Sequence, residues 1–227
     1  MKMIEGGVTA AQGFVAGGIH CGVRKNKSKP DLAMIYSQTP CAAAAVYTQN
    51  LVKGAPILVT RKNIANGYAR AVICNSGNAN TCNADGEEKA QAMCDLTAQA
   101  LGIDPQDVVV ASTGVIGQVL PIEPIAAGIP ELVKSLSAEG SSAAATAIMT
   151  TDTIPKEAAA EVETGGKTVR LGGISKGSGM IHPNMATMLC FVTTDCAISP
   201  EMLQRAIHQV TETTFNMISI DGDTSTN

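Results

Sequence analysis

The sequence has very few aromatic side chains. Tryptophan is absent, and Phe, Trp and Tyr together make up 3% of the 227 residues. Because aromatic side chains usually supply much of the buried surface of a core, this core must be built from Ala, Val, Ile, Leu and Met. The hydrophobic fraction is still 45%. A chain of this length can bury a sizeable core, as one large domain or two small ones.

Strong charge and long apolar runs are also missing. The net charge is −4 and no basic run extends beyond residues 24–29, which argues against nucleic acid as a partner. Lys25, Lys27 and Lys29 instead predict an exposed hairpin tip. No apolar stretch reaches membrane-spanning length, and the first residues lack the apolar segment of a signal peptide. We therefore expect a cytoplasmic protein that binds neither nucleic acid nor membranes.

The cysteines and histidines show no spacing that is typical of a metal site. The seven cysteines are an odd number and include no Cys-x-x-Cys pair. We expect reduced, mostly buried thiols. His20, His182 and His208 are far apart in the sequence. We expect no bound metal.

Short apolar runs between polar or glycine-rich connections predict several strands in a mainly antiparallel arrangement. Gly165-Gly166 separates two further runs, residues 158–164 and 167–174, and is typical of a β-hairpin turn. The other predicted strands are residues 8–24, 31–37, 43–48, 69–74, 107–111, 188–192 and 217–220.

Apolar residues at three- and four-residue spacings predict helices between these strands. Ser199-Pro200 is typical of a helix start, and strands and helices together indicate an α/β fold of packed layers. The predicted helices are residues 55–64, 85–101, 121–136 with a local break at 128–130, and 141–150, and the predicted buried stripe of the last helix is Met202, Leu203, Ala206, Ile207, Val210 and Thr214.

The segment KGSGMIHPNMATMLCF, residues 176–191, joins a glycine-rich loop to an apolar strand. Thr187 stands at this junction after the small residue Ala186. Its hydroxyl could attack the carbonyl of Ala186, and a cut there would make Thr187 a new N-terminus. The free α-amine, with an ordinary pKa of about 7.7–8.0, could then act as the base for its own hydroxyl. The alternative is an ordinary threonine at the start of a strand.

Three other polar stretches follow predicted strands or helices. They are CNSGNAN at residues 74–80, ASTGVIG at 111–117 and MTTDT at 149–153. A strand that ends in Thr-Gly can present a hydroxyl and a backbone N–H together, as an oxyanion hole requires. Lys176 could neutralise a substrate carboxylate. Taken singly, each stretch also fits a plain turn or helix end, and Lys176 fits a solvated surface charge.

These four stretches, with DGDTSTN at residues 221–227, occur in an order that resembles the glutamate N-acetyltransferase (ornithine acetyltransferase) family of arginine biosynthesis. The resemblance implies an N-terminal-nucleophile-like αββα sandwich, with mainly antiparallel sheets and helices on both outer faces. It implies self-cleavage between Ala186 and Thr187. Residues 1–186 would then be an alpha-chain region, and residues 187–227 the start of a beta-chain region in the same domain.

The resemblance also implies roles for individual residues. Thr187 would be the nucleophile that takes acetyl from N2-acetyl-L-ornithine and passes it to L-glutamate. Thr113 and Gly114 would form the oxyanion hole, and Thr150, Lys176 and Thr187 would bind substrate. The exchange requires no cofactor, and the sequence leaves open whether acetyl-CoA is also a donor.

The partner that the resemblance implies is the chain's own second cleavage fragment, in a heterotetramer of two alpha and two beta chains. The resemblance also predicts that this chain is an N-terminal portion that does not turn over alone. Two other interpretations remain at this point. One is a self-processing aminopeptidase or amidase of similar architecture, in which water accepts the acyl group. The other is a small-molecule-binding or structural domain without chemistry.

Overall fold

Two four-stranded sheets form the centre of the protein, in a computed structural model that describes residues 1–182 and 188–227. The strands are β1 (Lys2–Ile4), β2 (Phe14–Ile19), β3 (Leu32–Ala42), β4 (Tyr68–Asn75), β5 (Val108–Ser112), β6 (Lys156–Thr164), β7 (Lys167–Lys176) and β8 (Leu189–Thr194). The helices are α1 (Ala55–Asn63), α2 (Gly86–Leu101), α3 (Ile122–Ser135), α4 (Ser141–Ala147) and α5 (Pro200–Glu212).

The two sheets have simple strand orders. The first sheet has the order β2-β3-β4-β5, and the second has the order β1-β6-β7-β8. All neighbouring strands are antiparallel except β4 and β5, which run parallel with α2 in the connection between them. The carboxyl ends of β4 and β5 therefore lie at the same edge of the first sheet.

Helices α1, α2 and α3 pack against the outer face of the first sheet. The core between them, here called the helix-facing core, is filled by large aliphatic side chains. Its largest fully buried members are Leu32, Met34, Ile73, Met93, Leu120, Ile125, Ile129 and Leu132. The predicted core of aliphatic residues without aromatic side chains is confirmed in this layer.

The space between the two sheets, here called the inter-sheet core, is filled by much smaller side chains. Alanines from β2, β3 and β5 and from α4 supply most of its buried residues, together with Val8, Ile35, Ile148 and Ile174. Beside this core, the backbone of β7 also approaches the connection between β1 and β2 closely. A Cβ on Gly172 of β7 would lie 1.8 Å from the carbonyl oxygen of Gly7.

The layered α/β architecture agrees with the prediction. Among the described helices, α1, α2 and α3 cover the outer face of the first sheet, and α4 packs against β2 and β3 on the inner face. On the outer face of the second sheet, Leu171 and Val192 are exposed. Helix α5, which follows the last strand, lies beside the end of β3 instead, where its Gln204 side chain bonds the backbone of Ala45.

Local signals located most elements correctly. Gly165 and Gly166 both have positive φ and join β6 to β7 as predicted. Helix α2 ends at Gly102, which adopts the left-handed conformation. The side chain of Ser199 accepts a hydrogen bond from the amide of Met202 and caps α5. The loop that carries the three lysines, Lys25 to Lys29, connects β2 to β3 and is exposed.

Four expectations about elements are wrong. Residues 43–48 form no strand, because this alanine-rich run has little β-preference. Helix α3 continues through Pro130 without the predicted break. Residues 217–220 form no strand, and a 3-10 turn covers Phe215–Met217. The predicted stripe of α5 is not buried, since Met202 and Val210 are more than half exposed.

All seven cysteines are free thiols, as expected, but they are less buried than predicted. Cys74 and Cys94 are buried, Cys82 is exposed, and the others are intermediate. Within residues 1–182 and 188–227 no three His, Cys, Asp or Glu side chains lie together as a metal site would require. In the same ranges, none of the helices combines the length and apolar character needed to cross a bilayer.

Candidate active site

Two loops meet where the parallel strands β4 and β5 end. They are residues 75–80 and residues 113–117, and backbone hydrogen bonds join them along their length. The amide of Thr113 donates to the carbonyl of Asn75 at 2.9 Å, and the amide of Ala79 donates to the carbonyl of Val115 at 2.8 Å. These bonds therefore join two segments that are distant in the sequence at one edge of the sheet.

Gly114 is the point of closest approach between these loops. Its φ is +126°, a conformation that residues with side chains rarely adopt. A Cβ at this position would lie 2.6 Å from the carbonyl carbon of Gly77 and 2.8 Å from the amide nitrogen of Asn78. Both the backbone conformation and the close approach require glycine after Thr113.

The second sheet brings Lys176 to this edge. Lys176 is the last residue of β7, and its Nζ lies 3.5 Å from Oγ1 of Thr113. Both side chains are buried, each with only 3% of its surface exposed. The structure thus joins two of the predicted site residues, which are 63 positions apart in the sequence.

The ammonium group of Lys176 lies in a mixed electrostatic environment. Burial lowers the pKa of Lys176 below its ordinary value of 10.5, and the positive charges of Lys156 and Arg24 act in the same direction. The negative charge of Asp152 and the thiol of Cys74 oppose this shift. A buried cation of this kind interacts more strongly with an anionic ligand than a solvated lysine does.

Asp152 binds the backbone next to Lys176 and acts on its ammonium group through its charge. Its carboxylate accepts hydrogen bonds from Nζ of Lys156 at 2.5 Å, from the amide of Gly177 at 2.8 Å and from the amide of Thr150 at 3.2 Å. Burial alone would raise the pKa of Asp152, but these hydrogen bonds outweigh it and hold the pKa below the ordinary value of 3.8. Sequence reasoning had interpreted this aspartate only as a helix terminator.

Thr150 is connected to the backbone after Lys176 by hydrogen bonds of neighbouring residues. Asp152 connects Thr150 to the Lys176-Gly177 backbone, and the hydroxyl of Thr151 lies 2.7 Å from that of Ser178. The stretch 149–153 therefore lies beside the glycine-rich loop that follows β7.

Arg24 is a second residue whose importance sequence reasoning missed, because it was grouped with the exposed lysines. Its guanidinium donates to the carbonyl of Ser76 at 2.5 and 2.9 Å and to the carbonyl of Met149. The fully buried carboxylate of Asp31 accepts from the amides of Cys21 and Arg24 and fixes the loop that carries it. Arg24 thus connects two of the loops that surround Lys176.

Cys74 is the buried thiol nearest to these charges. Burial raises its pKa to about 12, although the positive charges of Lys176 and Arg24 act in the opposite direction. At neutral pH the thiol is therefore protonated. Since the thiolate is the nucleophilic form of cysteine, Cys74 is poorly suited to replace a hydroxyl as the nucleophile.

The predicted cleavage residues Ala186 and Thr187 lie outside the described residues. The segment before them is held at Met180 and Ile181, whose amides donate to the carboxylate of Asp221 at 2.6 and 2.9 Å. The segment after them enters β8, in which Leu189 pairs with Lys176. Both described ends of the segment are therefore fixed to the site or to the region beside it.

Curated relatives match nearly the whole chain. The arginine biosynthesis bifunctional protein ArgJ of Symbiobacterium thermophilum is 54% identical over 229 residues, which cover 100% of this chain and 57% of the relative. The protein of the same name from Bacillus subtilis is 51% identical over 226 residues, covering 99% of this chain and 55% of the relative. The chain spans just over half the length of these relatives.

Two solved structures resemble this chain closely. ArgJ from Bacillus halodurans has 45% identity and a TM-score of 0.76, with 81% of this chain and 97% of that chain covered. Ornithine acetyltransferase from Mycobacterium tuberculosis, complexed with ornithine, has 36% identity and a TM-score of 0.74, with coverages of 83% and 99%. Because 81% of 227 residues is about 184, and these are 97% of the solved chain, that chain has about 190 residues.

A distant structural relative and a family model complete the comparisons. A more distant structure, an L-aminopeptidase D-Ala-esterase/amidase from Ochrobactrum anthropi described as a variant of the Ntn-hydrolase fold, has 14% identity and a TM-score of 0.52, with 93% of this chain and 69% of that chain covered. This likeness concerns the fold alone, and it confirms the predicted N-terminal-nucleophile-like class. The ArgJ family model matches residues 15–227, and with relatives that are about half identical along its whole length, the chain belongs to the ArgJ family.

Proposed function

We propose that the complete protein transfers acetyl from N2-acetyl-L-ornithine to L-glutamate through an acyl-threonine intermediate on Thr187. The observation that carries the proposal is the buried pair Lys176–Thr113 next to Gly114. A buried cation and a hydroxyl at a strand end provide charge and a hydrogen-bond donor for an acyl group and a carboxylate. Leu189, which pairs with Lys176, is two residues from Thr187 in the sequence.

The proposed nucleophile arises by cleavage between Ala186 and Thr187. The hydroxyl of Thr187 attacks the carbonyl carbon of Ala186, the peptide C–N bond breaks, and the hydroxyl proton passes to the departing amine. Water then hydrolyses the resulting ester, which leaves the Ala186 carboxylate and a free amine on Thr187. Residues 1–186 then form the alpha chain, and residues 187–227 begin the beta chain. The solved chains of about 190 residues have the length expected of such a first fragment, which supports the cut.

The transfer itself needs two acyl-transfer steps. The hydroxyl of Thr187 attacks the acetyl carbonyl and gives its proton to its own amine. The carbon–nitrogen bond of acetylornithine breaks, the proton passes to the departing amine, and ornithine leaves. The amine of glutamate then attacks the ester carbon and restores the hydroxyl. In both steps the hydroxyl of Thr113 and the amide of Gly114 stabilise the oxyanion, and Thr150 and Lys176 bind substrate.

The names of the relatives support this reaction. One solved relative is an ornithine acetyltransferase complexed with ornithine, and the curated relatives are bifunctional proteins of arginine biosynthesis. We propose that no cofactor takes part in this exchange. We also propose that the two cleavage fragments assemble in the cytoplasm as a heterotetramer of two alpha and two beta chains.

Intact-mass measurement of the protein produced from the complete gene tests the proposal. The wild type should appear as two fragments that meet between Ala186 and Thr187, and the second fragment should gain an acetyl group on incubation with acetylornithine. Thr187→Ala should remain a single chain without transfer activity, whereas Thr187→Ser should retain some cleavage. Efficient cutting of the Thr187→Ala variant would disprove the assignment. Hydrolysis of simple amides without transfer to glutamate would favour an amidase instead.

A further inference from the structure

We propose that Asp152 is a positioning residue, which holds Thr150 and Lys176 in their relative places and keeps the ammonium form of Lys176 available to the substrate carboxylate. This inference rests on the proposed function, because it explains how two of the proposed substrate-binding residues are fixed. It assigns a role in the site to a buried carboxylate that the reaction does not itself use.

The first support is the position of the carboxylate between two backbone segments. One oxygen of Asp152 accepts from the amide of Gly177, and the other accepts from the amide of Thr150. These amides belong to loops that are 27 residues apart in the sequence. An asparagine has a single acceptor oxygen and cannot make all three hydrogen bonds of Asp152.

The second support is the burial of the charges. The side chain of Asp152 has no exposed surface, and Lys176 is almost fully buried. A buried ammonium without a nearby negative charge loses its proton readily. The charged or titratable groups that act on Lys176 are Asp152, Lys156, Cys74 and Arg24. Of these, the thiol of Cys74 is neutral at neutral pH, so Asp152 is the group that favours the ammonium form.

Lys156 also acts on Lys176, and its replacement should shift the pKa of Lys176 in the direction opposite to that of replacing Asp152. Its Nζ binds Oδ1 of Asp152, and its side chain is 42% exposed. Its positive charge lowers the pKa of Lys176, whereas the negative charge of Asp152 raises it. Removing Lys156 should leave the negative charge of Asp152 to Lys176 alone, with little disturbance of the buried structure.

Asp195 provides a matched control. Its carboxylate also accepts from two backbone amides, those of Gln12 and Arg170, but these contacts lie near the other end of β7. Asp195→Asn removes a carboxylate that binds two backbone amides directly after β8, although Asp195 is less buried than Asp152. A general loss of stability would therefore affect both variants, whereas a role in the site concerns Asp152 alone.

The experiment measures kcat, KM for acetylornithine and the pH profile of kcat/KM in the protein produced from the complete gene. Asp152→Asn should raise KM about tenfold or more, as expected when binding groups are displaced, with a smaller change in kcat. The alkaline limb of the profile should move to lower pH, because Lys176 loses the charge that favours its protonation. Asp152→Glu should return the limb towards the wild-type pH while KM stays raised.

The remaining variants decide the outcome. Lys156→Met should move the alkaline limb to higher pH, and Asp195→Asn should move neither the limb nor KM. The proposal would be overturned if folded Asp152→Asn kept the wild-type KM and the wild-type position of the alkaline limb. It would also be overturned if Asp195→Asn changed both quantities as much as Asp152→Asn does. Where Asp152→Asn fails to fold, Lys156→Met decides: an upward shift supports the proposal and an unchanged limb overturns it.

A second readout does not depend on the reaction. The pKa of Lys176 can be followed by NMR of lysine labelled at Cε, with its signal assigned from its absence in Lys176→Met. A lower pKa in Asp152→Asn and a higher one in Lys156→Met support the proposal even if the wild type transfers no acetyl group. Absence of transfer would refute the proposed function, and unchanged pKa values in both variants would refute the role of Asp152.

Discussion

The helix-facing core and the inter-sheet core each hold two layers of the fold together, but the first is filled by large side chains and the second mostly by alanines. Leu132, Met93 and Ile129, which are fully or almost fully buried, fill the space between the helices and the first sheet. Between the sheets, alanines and backbone atoms make the contacts. Large side chains tolerate small shifts of a helix, whereas contacts between backbones fix a distance.

The site depends on the second kind of packing. Thr113 follows β5 of the first sheet and Lys176 ends β7 of the second, so the distance between the sheets sets the 3.5 Å between their side chains. We therefore expect substitutions in the helix-facing core to change stability alone. Substitutions in the inter-sheet core should change stability and activity together.

The largest expected effect is in the helix-facing core. Leu132→Ala leaves a cavity in a layer of large side chains, and such changes cost about 2–5 kcal/mol of unfolding free energy. Denaturant unfolding measures the loss, and KM and kcat of the folded fraction should remain at wild-type values. A raised KM in the folded variant would show that the two cores are not independent.

Removal of the proposed oxyanion donor Thr113 should have the next largest effect. Thr113→Ala is expected to lower kcat about 10²-fold or more, the scale found when one such donor is lost. Its unfolding free energy should change little, because the hydroxyl contacts Lys176 rather than the apolar core. The measurements are steady-state turnover and denaturant unfolding. Unchanged turnover would place the oxyanion hole elsewhere.

A smaller effect on stability is expected from an added methyl group in the inter-sheet core. Gly172→Ala would bring a Cβ to 1.8 Å from the carbonyl oxygen of Gly7. Overpacking of this kind costs about 1–3 kcal/mol, and displacement of β7, which ends at Lys176, should also raise KM. Thermal unfolding and steady-state kinetics measure the two effects.

The adjacent glycine is the control for that prediction. Gly173 faces the other side of β7, where an added Cβ would lie 3.2 Å from the carbonyl oxygen of Phe191. Gly173→Ala should therefore destabilise less and leave KM unchanged. Equal effects at the two positions would show that the close packing on the inner face of β7 does not control the site.

The smallest predicted effect is a gain of stability at the expense of activity. Since burial lowers the pKa of Lys176 below 10.5, the unfolded chain binds this proton more tightly than the folded chain. The charged lysine therefore costs stability at pH values below its folded pKa, and the cost declines as pH rises towards 10.5. Lys176→Met should unfold at higher denaturant concentration at neutral pH, with an advantage that vanishes near pH 10.5. An equal advantage at both pH values would exclude a charge effect.

Local sequence signals predicted where helices and turns occur better than they predicted which surfaces these elements pack against. The Gly165-Gly166 turn and the cap at Ser199 depend on neighbouring residues, and both are confirmed. The apolar stripe of α5 is present in the sequence, yet Met202 and Val210 are largely exposed. Periodicity defines an apolar face but does not specify which surface covers it.

The contacts within the candidate site could be predicted from the sequence even less well than the packing of the helices. The meeting of Thr113 with Lys176 depends on sheet topology, and only the family resemblance suggested it. Asp152 and Arg24 were missed because most of their partners are backbone groups of distant segments. Backbone amide and carbonyl groups are the same in nearly all residue types, so the sequence does not indicate which of them a distant side chain will bind.

The pairing of β7 with β8 has a consequence for the reversibility of folding. Six residue pairs, from Leu171↔Thr194 to Lys176↔Leu189, join the strands on either side of the proposed cut. An uncut chain refolds in a first-order reaction, because the connecting segment keeps both strands at a high effective concentration. After cleavage the strands belong to separate molecules, so refolding becomes second order and its yield depends on protein concentration. The cut protein would then depend on its first folding, as an uncut chain, for an assembly that dilute fragments recover slowly.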